Sequence, residues 1–421
     1  MAVDFTAWLL FFSVFTNQMG RVMVPAIKTS VLADAAMGTE FKDKAGLFLS
    51  GVSIVCFGGK LLGAAVTDKL GGWIVLVAVF VIWIVATCGS IFSTSVDLFG
   101  YAWLLNSFAY TITWGAALQV IGATYEKDAE AKASNLAFCS SASRFGATIG
   151  NIAFGQLLSA GISWRNVQLP MIPLQVLLLA VCLYKSAGGE AAAAAAAAAP
   201  KGGDGTKKAE EPEAPSALAA FVSLDFWLML IPKTVTFTFT QFFMNYIPQL
   251  LHVTYGYDHG MAATLGGVAQ GGSVIGLLGV GAYYKKQPKE AKVYVVFFEL
   301  ALCAVVPFAL SLGPAVLGQY AVVPLTVVWG IAYALPFYLP PGEFAMQVGG
   351  KSGTALFTNI FDAAGFAMSA VWNPWASTIA KSGSFERVLQ SQALFGAISM
   401  LTMPLCMYRQ NAKTDLAKKA Q

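Results

Sequence analysis

Long apolar stretches alternate with short polar segments along most of this chain. A helix that crosses the ~30 Å hydrocarbon core of a bilayer needs about 20 mostly apolar residues. Stretches of that kind cover residues 5–33, 45–67, 72–93, 98–124, 133–160, 166–184, 219–251, 260–284, 293–311, 317–346, 353–380 and 388–408. The longest of them predict tilted helices or helices that extend beyond the lipid. The pattern therefore predicts an all-α membrane protein with twelve transmembrane helices.

The segment 186–217 differs from its surroundings. An uninterrupted alanine run over 191–199 is followed by Pro, Gly, Lys and Glu residues. Such a segment has little apolar surface to bury, so it predicts a polar linker between spans six and seven. We therefore expect an N-terminal six-helix bundle over 1–185, the linker, a C-terminal six-helix bundle over 218–409 and a tail over 410–421.

Composition supports lipid as the solvent for much of the surface. Hydrophobic residues make up 57% of the chain and charged residues only 11%, whereas soluble domains carry roughly 25% charged residues. The formal net charge of +4 is modest, and the basic residues lie mainly in short loops and the C-terminal tail. They predict topology and no nucleic-acid partner.

The distribution of basic residues predicts the orientation. The loops on the linker side hold sixteen Lys and Arg residues, against five in the loops on the other side. Cytoplasmic loops carry the excess of Lys and Arg, so both termini are predicted to be cytoplasmic. The first apolar run starts at Phe5 without a basic leader, so we expect an uncleaved first span and a multi-pass protein, with the plasma membrane as the default location.

Cysteine and histidine usage gives no sign of a metal site. All six cysteines lie inside apolar runs without metal-type spacing, which is typical of small packing residues. The two histidines, His252 and His259, lie near a predicted outer loop. No Walker, H-E-x-x-H or G-x-S-x-G motif occurs. We expect no catalytic residues, no cofactor and no metal, and therefore not an enzyme.

Charged residues inside the predicted spans are the strongest functional signal. Each costs roughly 2.5–3.5 kcal/mol on insertion scales, so such a group normally faces a cavity or a partner. The basic residues within spans are Arg21, Lys28, Lys60, Arg144 and Lys233. The acidic ones are Asp225, Glu299, Glu343 and Asp362. The positive balance favours a small organic or inorganic anion as the substrate.

Two arginines are the main candidates for anion contacts. Arg21 follows a polar, Gly-containing stretch that begins at Asn17, with Pro25 one turn later. Interrupted helices of this kind build substrate sites near the membrane midplane. The alternative is that Arg21 pairs with an acidic residue of another span. Arg144 lies near the centre of span five, where it either faces the cavity or pairs with Asp362.

Other polar residues within spans are weaker candidates for substrate contacts. Lys60 and Lys233 either contact the ligand or reach the interface, and Lys28 is expected to reach the interface. Gln241 and Asn245 are four residues apart, so they share one helix face. Asn106 and Tyr333 belong to four-residue stripes with aromatic residues, a pattern typical of packing as well as of binding. Asp362 and Glu343 are candidates for proton coupling, the alternative being structural ion pairs.

The loop after span two resembles a known motif. Residues 63–72 read GAAVTDKLGG and resemble the G-x-L-a-D-R-x-G-R motif of the major facilitator superfamily through Gly63, Asp68, Lys69 and Gly71. The resemblance implies two six-helix bundles and a gating role for these four residues. It also implies a transporter that usually works as a monomer.

Two shorter stretches are similar to the organophosphate:phosphate antiporters within that superfamily. They are the stretch 57–63, with Asp68 following, and the stretch 245–248. The family places one arginine in span one and another in span seven to hold the phosphate. The matching positions here carry Asn17 and Thr240, while Arg21 lies one turn from the first.

Together these features predict a secondary active transporter that moves a small anion of the organophosphate, phosphate or carboxylate class by alternating access. The predicted substrate contacts are Arg21, Arg144, Asn17, Gln241, Asn245, Asn106, Tyr333, Lys60 and Lys233. The alternatives are a proton-coupled symporter that uses Asp362 or Glu343, and a non-transporting receptor or scaffold with the same fold. The lipid bilayer and the substrate are the expected partners.

Overall fold

The computed structural model describes residues 4–126, 128–187 and 221–419. The predicted linker therefore lies outside the described residues from position 188 onward. The described residues form helices and turns, without a β-strand among them. The fold is twelve transmembrane helices in two six-helix bundles.

Six long helices form the N-terminal half, and each corresponds to one predicted span. They are α1 (Phe5–Leu32), α2 (Gly38–Leu70), α3 (Gly72–Ile91), α4 (Val96–Thr124), α5 (Ala129–Ser159) and α6 (Met171–Lys185), with a 3₁₀ turn over Asn166–Gln168. The side chain of Asp4 caps α1 by accepting a hydrogen bond from the backbone N–H of Ala7 at 2.8 Å. The connections between the helices are short, so sequential helices run in opposite directions, and the most extensive contacts in this half are those of α1 with α5 and of α3 with α4.

The C-terminal half contains more interruptions. Its helices are α7 (Leu224–Asn245), α8 (Ile247–Val253), α9 (His259–Ile275), α10 (Gly281–Lys285), α11 (Lys289–Ser311), α12 (Pro314–Leu317), α13 (Val322–Lys381) and α14 (Glu386–Lys419). Together α7 and α8 make the seventh crossing, which breaks before the proline of α8, Pro248. A π-helical stretch over Gly276–Val280 joins α9 to α10 within the eighth crossing.

The 60-residue helix α13 contains two crossings and not one. On a straight helix, Phe344 and Phe361 would be roughly 25 Å apart along the axis. Their ring centroids are only 5.9 Å apart. The chain therefore reverses between them, and the two arms, 322–344 and 361–381, lie antiparallel as spans ten and eleven.

Seven helical segments among the described residues are long and apolar enough to cross a membrane by themselves; Gly72–Ile91 has the highest mean hydropathy, 2.7. The less apolar crossings are α1, α4, α5, α7 and the second arm of α13. Each of these contributes polar side chains to a central cavity. Their lower hydropathy is thus a consequence of facing the cavity.

Among the described residues, the two halves share an apolar core at one end and not at the other. We call the end where α6 finishes and α7 begins the linker end, and the end with the loop 33–37 the far end. At the far end, one apolar cluster joins residues of both halves, including Phe41 and Trp372. A second cluster around Trp83 belongs to the N-terminal half, and a third around Phe344 belongs to the C-terminal half.

Hydrogen bonds between the halves cluster at the same end. The Ser50 hydroxyl on α2 donates to the carbonyl oxygen of Ala370 at 2.8 Å. One helical turn further, the Asn373 amide donates to the Ser53 hydroxyl at 3.2 Å. At the rim, Lys381 forms an ion pair with Asp43 at 3.3 Å. The structure is therefore closed at the far end.

Candidate functional site

A cavity of about 290 Å³ lies between the two halves at mid-depth. On one side it is lined by α1, α2, α4 and α5, and on the other by α7, α9 and both arms of α13. Its charged lining residues are Arg21, Lys60, Arg144, Lys233 and Asp362. Among the described residues, the cavity wall therefore has a net formal charge of +3.

Arg21 contacts an aromatic ring and not a carboxylate. Its Nη1 donates to the hydroxyl of Tyr110 at 2.6 Å, and its guanidinium carbon lies 4.0 Å from the centroid of the same ring. Within the described parts of the chain, no acidic side chain lies at ion-pair distance from Arg21. A guanidinium group has five N–H donors, so the remaining ones are available to a ligand.

Arg144 has a similar environment on α5. Its guanidinium carbon lies 4.6 Å from the ring centroid of Tyr338, across the interface between the halves. Cation–π contacts of this kind hold the plane of the guanidinium group without neutralising its charge. Asp362, the predicted alternative partner, forms its ion pairs elsewhere.

Asp362 lies between two lysines. Its Oδ2 is 3.5 Å from Nζ of Lys60 on α2, and its Oδ1 is 3.5 Å from Nζ of Lys233 on α7. Lys233 also donates to the carbonyl oxygen of Phe337 at 3.1 Å and lies over that ring. Since Lys60 belongs to the other half, this triad connects the two bundles at the cavity wall.

Packing of α1 fixes the position of Arg21. The helix is continuous through Pro25. At Gly20 a methyl group would collide with the indole of Trp83 on α3, so glycine leaves room for that ring against α1. One turn before Arg21, the Asn17 amide donates to the Thr113 hydroxyl, and both residues line the cavity. The polar interruption of span one is thus a cavity face.

Several predicted contact residues are not among the residues that line the cavity. Asn245 donates to the Gln241 side-chain oxygen at 3.1 Å, and both residues are buried within the C-terminal half. Asn106 is buried in the N-terminal half. Tyr333 is buried against Phe243, with ring centroids 4.9 Å apart. None of these four residues is among the described lining residues.

The two predicted coupling carboxylates have different environments. Asp362 lines the cavity, whereas Glu343 pairs with Lys292 at 3.3 Å and accepts a hydrogen bond from the Tyr284 hydroxyl at 2.9 Å. Lys292 lies at the start of α11, so the Glu343 contacts are within the C-terminal half near the linker end. In the part of the chain that the structure describes, Asp362 contacts a residue of the other half and Glu343 does not.

The predicted gating residues surround the turn from α2 to α3. Gly63 packs on α4, where an added methyl group would lie 3.4 Å from Ile112. Gly71 has φ 85° and ψ 146°, a conformation that essentially only glycine adopts, and it allows the abrupt change of direction. The Lys69 side chain is exposed. The side chain of Asp68 lies outside the described set.

The expectation that Lys28 reaches the membrane interface is wrong. Its side chain is 2% exposed, and its Nζ donates to the Asn245 carbonyl oxygen at 3.2 Å. It also lies 4.6 Å from the ring centroid of Tyr246. The reason is that α1 packs against α7 and α8 at the closed far end, which covers the lysine.

Some cavity residues were not singled out by the sequence, among them Tyr338, Gln270 and Ser143. Residues at four-residue spacing turn by about 40° per step around a helix. The stripe through Tyr333 therefore leaves the bundle interior and reaches the cavity at Phe337. The aromatic pair at 337–338, next to the Pro340–Pro341 dipeptide, is the sequence signal for this wall.

The fold of the whole chain matches that of known transporters. The sequence profile described as the Major Facilitator Superfamily matches residues 10–370. The solved D-xylose-proton symporter superimposes with a TM-score of 0.73 at 12% identity, covering 96% of this chain and 97% of the symporter. The solved nucleoside transporter NupG gives 0.68 at 14% identity, covering 96% of this chain and 99% of that chain. The comparison with curated protein sequences gives no match.

Proposed function

Because this chain belongs to the major facilitator superfamily, we propose that it is a secondary transporter that exchanges small anions across the membrane. The observation that carries the proposal is the charge of the central cavity. Four basic side chains and one acidic side chain line it, and neither Arg21 nor Arg144 has an acidic partner among the described residues. An anion between these groups supplies the missing negative charge.

The two arginines are suited to bind a planar or tetrahedral oxyanion. Each guanidinium group stacks on a tyrosine, Arg21 on Tyr110 and Arg144 on Tyr338. Stacking fixes the plane of the group while its N–H edge remains able to form paired hydrogen bonds to a carboxylate or phosphate. The rings of Trp114 and Phe366 add apolar wall. We therefore favour an organic anion with a small apolar body.

Asp362 acts as an internal counter-anion in this proposal. It shares its two oxygens between Lys60 and Lys233 at 3.5 Å each, distances at the long end of ion pairing. A substrate carboxylate or phosphate that approaches either lysine competes with Asp362. Because Lys60 and Lys233 come from different halves, this competition makes the contact between the bundles depend on the substrate.

The charge of the cavity also favours exchange over uniport. Reorientation closes one end of the site before the other opens, which excludes water from the charged groups. A cavity with three uncompensated positive charges pays a large desolvation cost in that step. A bound anion reduces this cost, so the loaded carrier reorients faster than the empty one. That difference is the kinetic condition for antiport.

Proton-coupled symport is the second candidate, and the position of Asp362 favours it. This carboxylate lines the cavity between two lysines. When a substrate engages the lysines, Asp362 loses its counter-charges and becomes able to accept a proton. The solved D-xylose-proton symporter has the same fold. In this version, an imposed pH gradient alone drives uphill uptake.

The test is counterflow into proteoliposomes with phosphate, sugar phosphates, small carboxylates and a neutral sugar, comparing the wild type with Arg21→Gln. A lost charge-assisted hydrogen bond costs about 1.5–3 kcal/mol. We therefore expect the rate for the transported anion to fall roughly 10- to 100-fold. Arg21→Lys keeps the positive charge but loses the planar pair of N–H donors of the guanidinium group, so we expect partial activity.

Arg387→Gln is the matched control, because Arg387 is exposed and lies outside the cavity; its rate should equal that of the wild type. Transport of neutral solutes only, or anion uptake indifferent to Arg21, contradicts the anion proposal. Uptake that depends on a pH gradient and proceeds without an anion inside the vesicles would show symport and not exchange. A properly folded protein that moves none of the solutes supports the receptor or scaffold alternative.

A further inference from the structure

A second cavity, of about 380 Å³, lies at the far end where the two halves meet. The N-terminal half contributes α1 and the start of α2, and the C-terminal half contributes α8, the first residue of α9 and the end of α13. No residue lines both this cavity and the central one. The second cavity is therefore a separate site at the interface between the bundles.

The described wall of this cavity is basic. Its titratable lining residues are Lys28, Lys42, His252, His259 and Lys381, and no acidic residue is among them. The nearby carboxylates have other contacts. Asp43 pairs with Lys381 at 3.3 Å, and Asp258 accepts the backbone N–H groups of Gly260 and Met261 at 2.9 Å each. A ligand in this cavity meets cationic and neutral donors.

Lys28 is the deepest of these groups. It is 2% exposed, and the contact described for its ammonium donors is a single hydrogen bond to the Asn245 carbonyl oxygen at 3.2 Å. An ammonium group has three donors. The adjacent Thr29, also 2% exposed, has a buried hydroxyl without a hydrogen-bond partner among the described residues. Both residues line the cavity, so α1 presents to it a buried hydroxyl without a described partner and an ammonium group with one described hydrogen bond.

The histidine pair supplies donors from the opposite half. The ring centroids of His252 and His259 are 4.1 Å apart. Nδ1 of His252 lies 2.7 Å from the Tyr257 carbonyl oxygen, so this nitrogen donates and the tautomer is fixed. Nδ1 of His259 is buried without a partner among the described residues. Two imidazoles in contact repel each other when charged, and a bound anion offsets that repulsion.

We propose that the second cavity binds an oxyanion, a phosphate or a carboxylate, that joins Lys28 and Thr29 of one half to His252, His259 and Lys381 of the other. A ligand held by both halves binds only while the far end is closed. By mass action it stabilises this conformation. The site is regulatory: anion bound there opposes opening of the far end, whatever the central cavity carries.

The first test is thermal unfolding of the detergent-purified full chain in increasing inorganic phosphate, with chloride at matched ionic strength as reference. The Arg21→Gln background weakens phosphate binding in the central cavity. We expect a saturable rise of Tm with phosphate in this background. Lys28→Met should raise the phosphate concentration that gives half of the Tm increase by about tenfold or more. Lys42→Gln removes only an exposed charge at the rim of the cavity, so the variant should fold normally. Its half-maximal phosphate concentration should rise roughly two- to fivefold.

Lys44→Gln is the control on the same turn of α2, because Lys44 pairs with Glu40 and Asp97 and does not line the cavity. A Tm response equal to that of chloride overturns the proposal, and so does a half-maximal phosphate concentration unchanged by both Lys28→Met and Lys42→Gln. The same titration in nanodiscs with and without phosphatidylglycerol separates the sources of the oxyanion. A lipid headgroup raises Tm in anionic nanodiscs before phosphate is added, and free phosphate does not.

Discussion

The basic residues that line the central cavity are stabilised in two different ways. Lys60 and Lys233 share the carboxylate of Asp362, whereas Arg21 and Arg144 lie over tyrosine rings. Ion pairing neutralises a charge, but a cation–π contact only lowers the cost of desolvating it. The two classes therefore differ in what they offer a ligand. In the proposed function, the arginines attract an anion, and the lysines exchange the carboxylate of Asp362 for that of the substrate.

A residue outside the membrane stabilises two loops of the N-terminal half at the far end. In the loop after α1, Asp34 accepts a hydrogen bond from the Trp164 indole N–H at 2.9 Å and forms an ion pair with Arg165 at 3.4 Å. Its other oxygen accepts the backbone N–H groups of Ala36 and Met37. The hydrogen bond from Trp164, the backbone N–H groups and the charge of Arg165 outweigh partial burial and lower the pKa of the Asp34 carboxyl.

A lowered native pKa means that the folded protein binds fewer protons at this site than the unfolded chain. The stabilisation is complete above the ordinary carboxyl pKa of about 4 and is lost as pH falls through the native value. We expect Asp34→Asn to lower stability by about 1 kcal/mol at pH 7, since the site is partly exposed. The deficit should shrink below about pH 4.

Thermal unfolding of purified protein between pH 7 and pH 3.5 measures both effects, with Asp415→Asn, an exposed position near the end of α14, as control. A deficit that stays constant over this range would show that Asp34 stabilises the loop by shape and not by charge.

At the scale of elements, the contact between α5 and α9 closes the far end through glycines. A methyl group added at Gly267 would lie 2.9 Å from the Thr148 carbonyl oxygen, and one added at Gly155 would lie 2.7 Å from the Gly260 carbonyl oxygen. Small residues at such crossings let helix backbones approach closely. The closed far end therefore depends on the absence of side chains along this crossing.

We predict that Gly267→Ala separates α5 from α9 and shifts the protein towards a conformation open at the far end. The measurement is the rate at which maleimide labels a cysteine introduced at Gln249, which is buried at that end, in a background with the half-buried Cys88 replaced by serine. The rate should rise several-fold.

Gly58→Ala is the matched control for this experiment, because an added methyl group there has no neighbour within 4 Å. Equal labelling rates in Gly267→Ala and Gly58→Ala would show that α5 and α9 accommodate the added methyl group by a local shift, without opening of the far end.

At the scale of the whole molecule, the distribution of core residues defines the conformation. One apolar cluster spans both halves at the far end, while two other clusters belong to one half each. Alternating access in this superfamily moves one bundle against the other around a central site. In that scheme the shared cluster must separate when the far end opens, whereas the other two stay intact.

Cross-linking tests this movement directly. Cysteines at Ser53 and Asn373, whose side chains are buried and hydrogen-bonded at 3.2 Å, should form a disulfide rapidly on oxidation with iodine. The cross-linked protein should lose counterflow, because the far end can no longer open. The comparison pair, Val66→Cys with Leu356→Cys, lies on the same two crossings at the linker end and should react more slowly. Full transport by the Ser53–Asn373 cross-linked protein would contradict rigid-body movement of the two halves.

The sequence by itself determined the crossings and the charge of the site. The bilayer thickness requires about 20 apolar residues per helix, so hydropathy alone located the spans. The motif from Gly63 to Gly71 indicated the family before any helix was placed. The cost of intramembrane charge singled out Arg21, Arg144 and Asp362, since charged residues near the middle of a span almost always face a cavity or a partner.

Only the tertiary structure decided which way those residues point and what they contact. Lys60 and Asp362 are about 300 positions apart in the chain, and their pairing depends on how α2 crosses α13. Helical periodicity favoured Gln241 as a substrate contact, but the rotation of α7 turns this residue into the bundle interior. The position of Lys28 near the end of its span predicted a place at the membrane interface, but the closed far end covers it. Hydropathy and periodicity are properties of one helix, whereas partners and access depend on the packing of several.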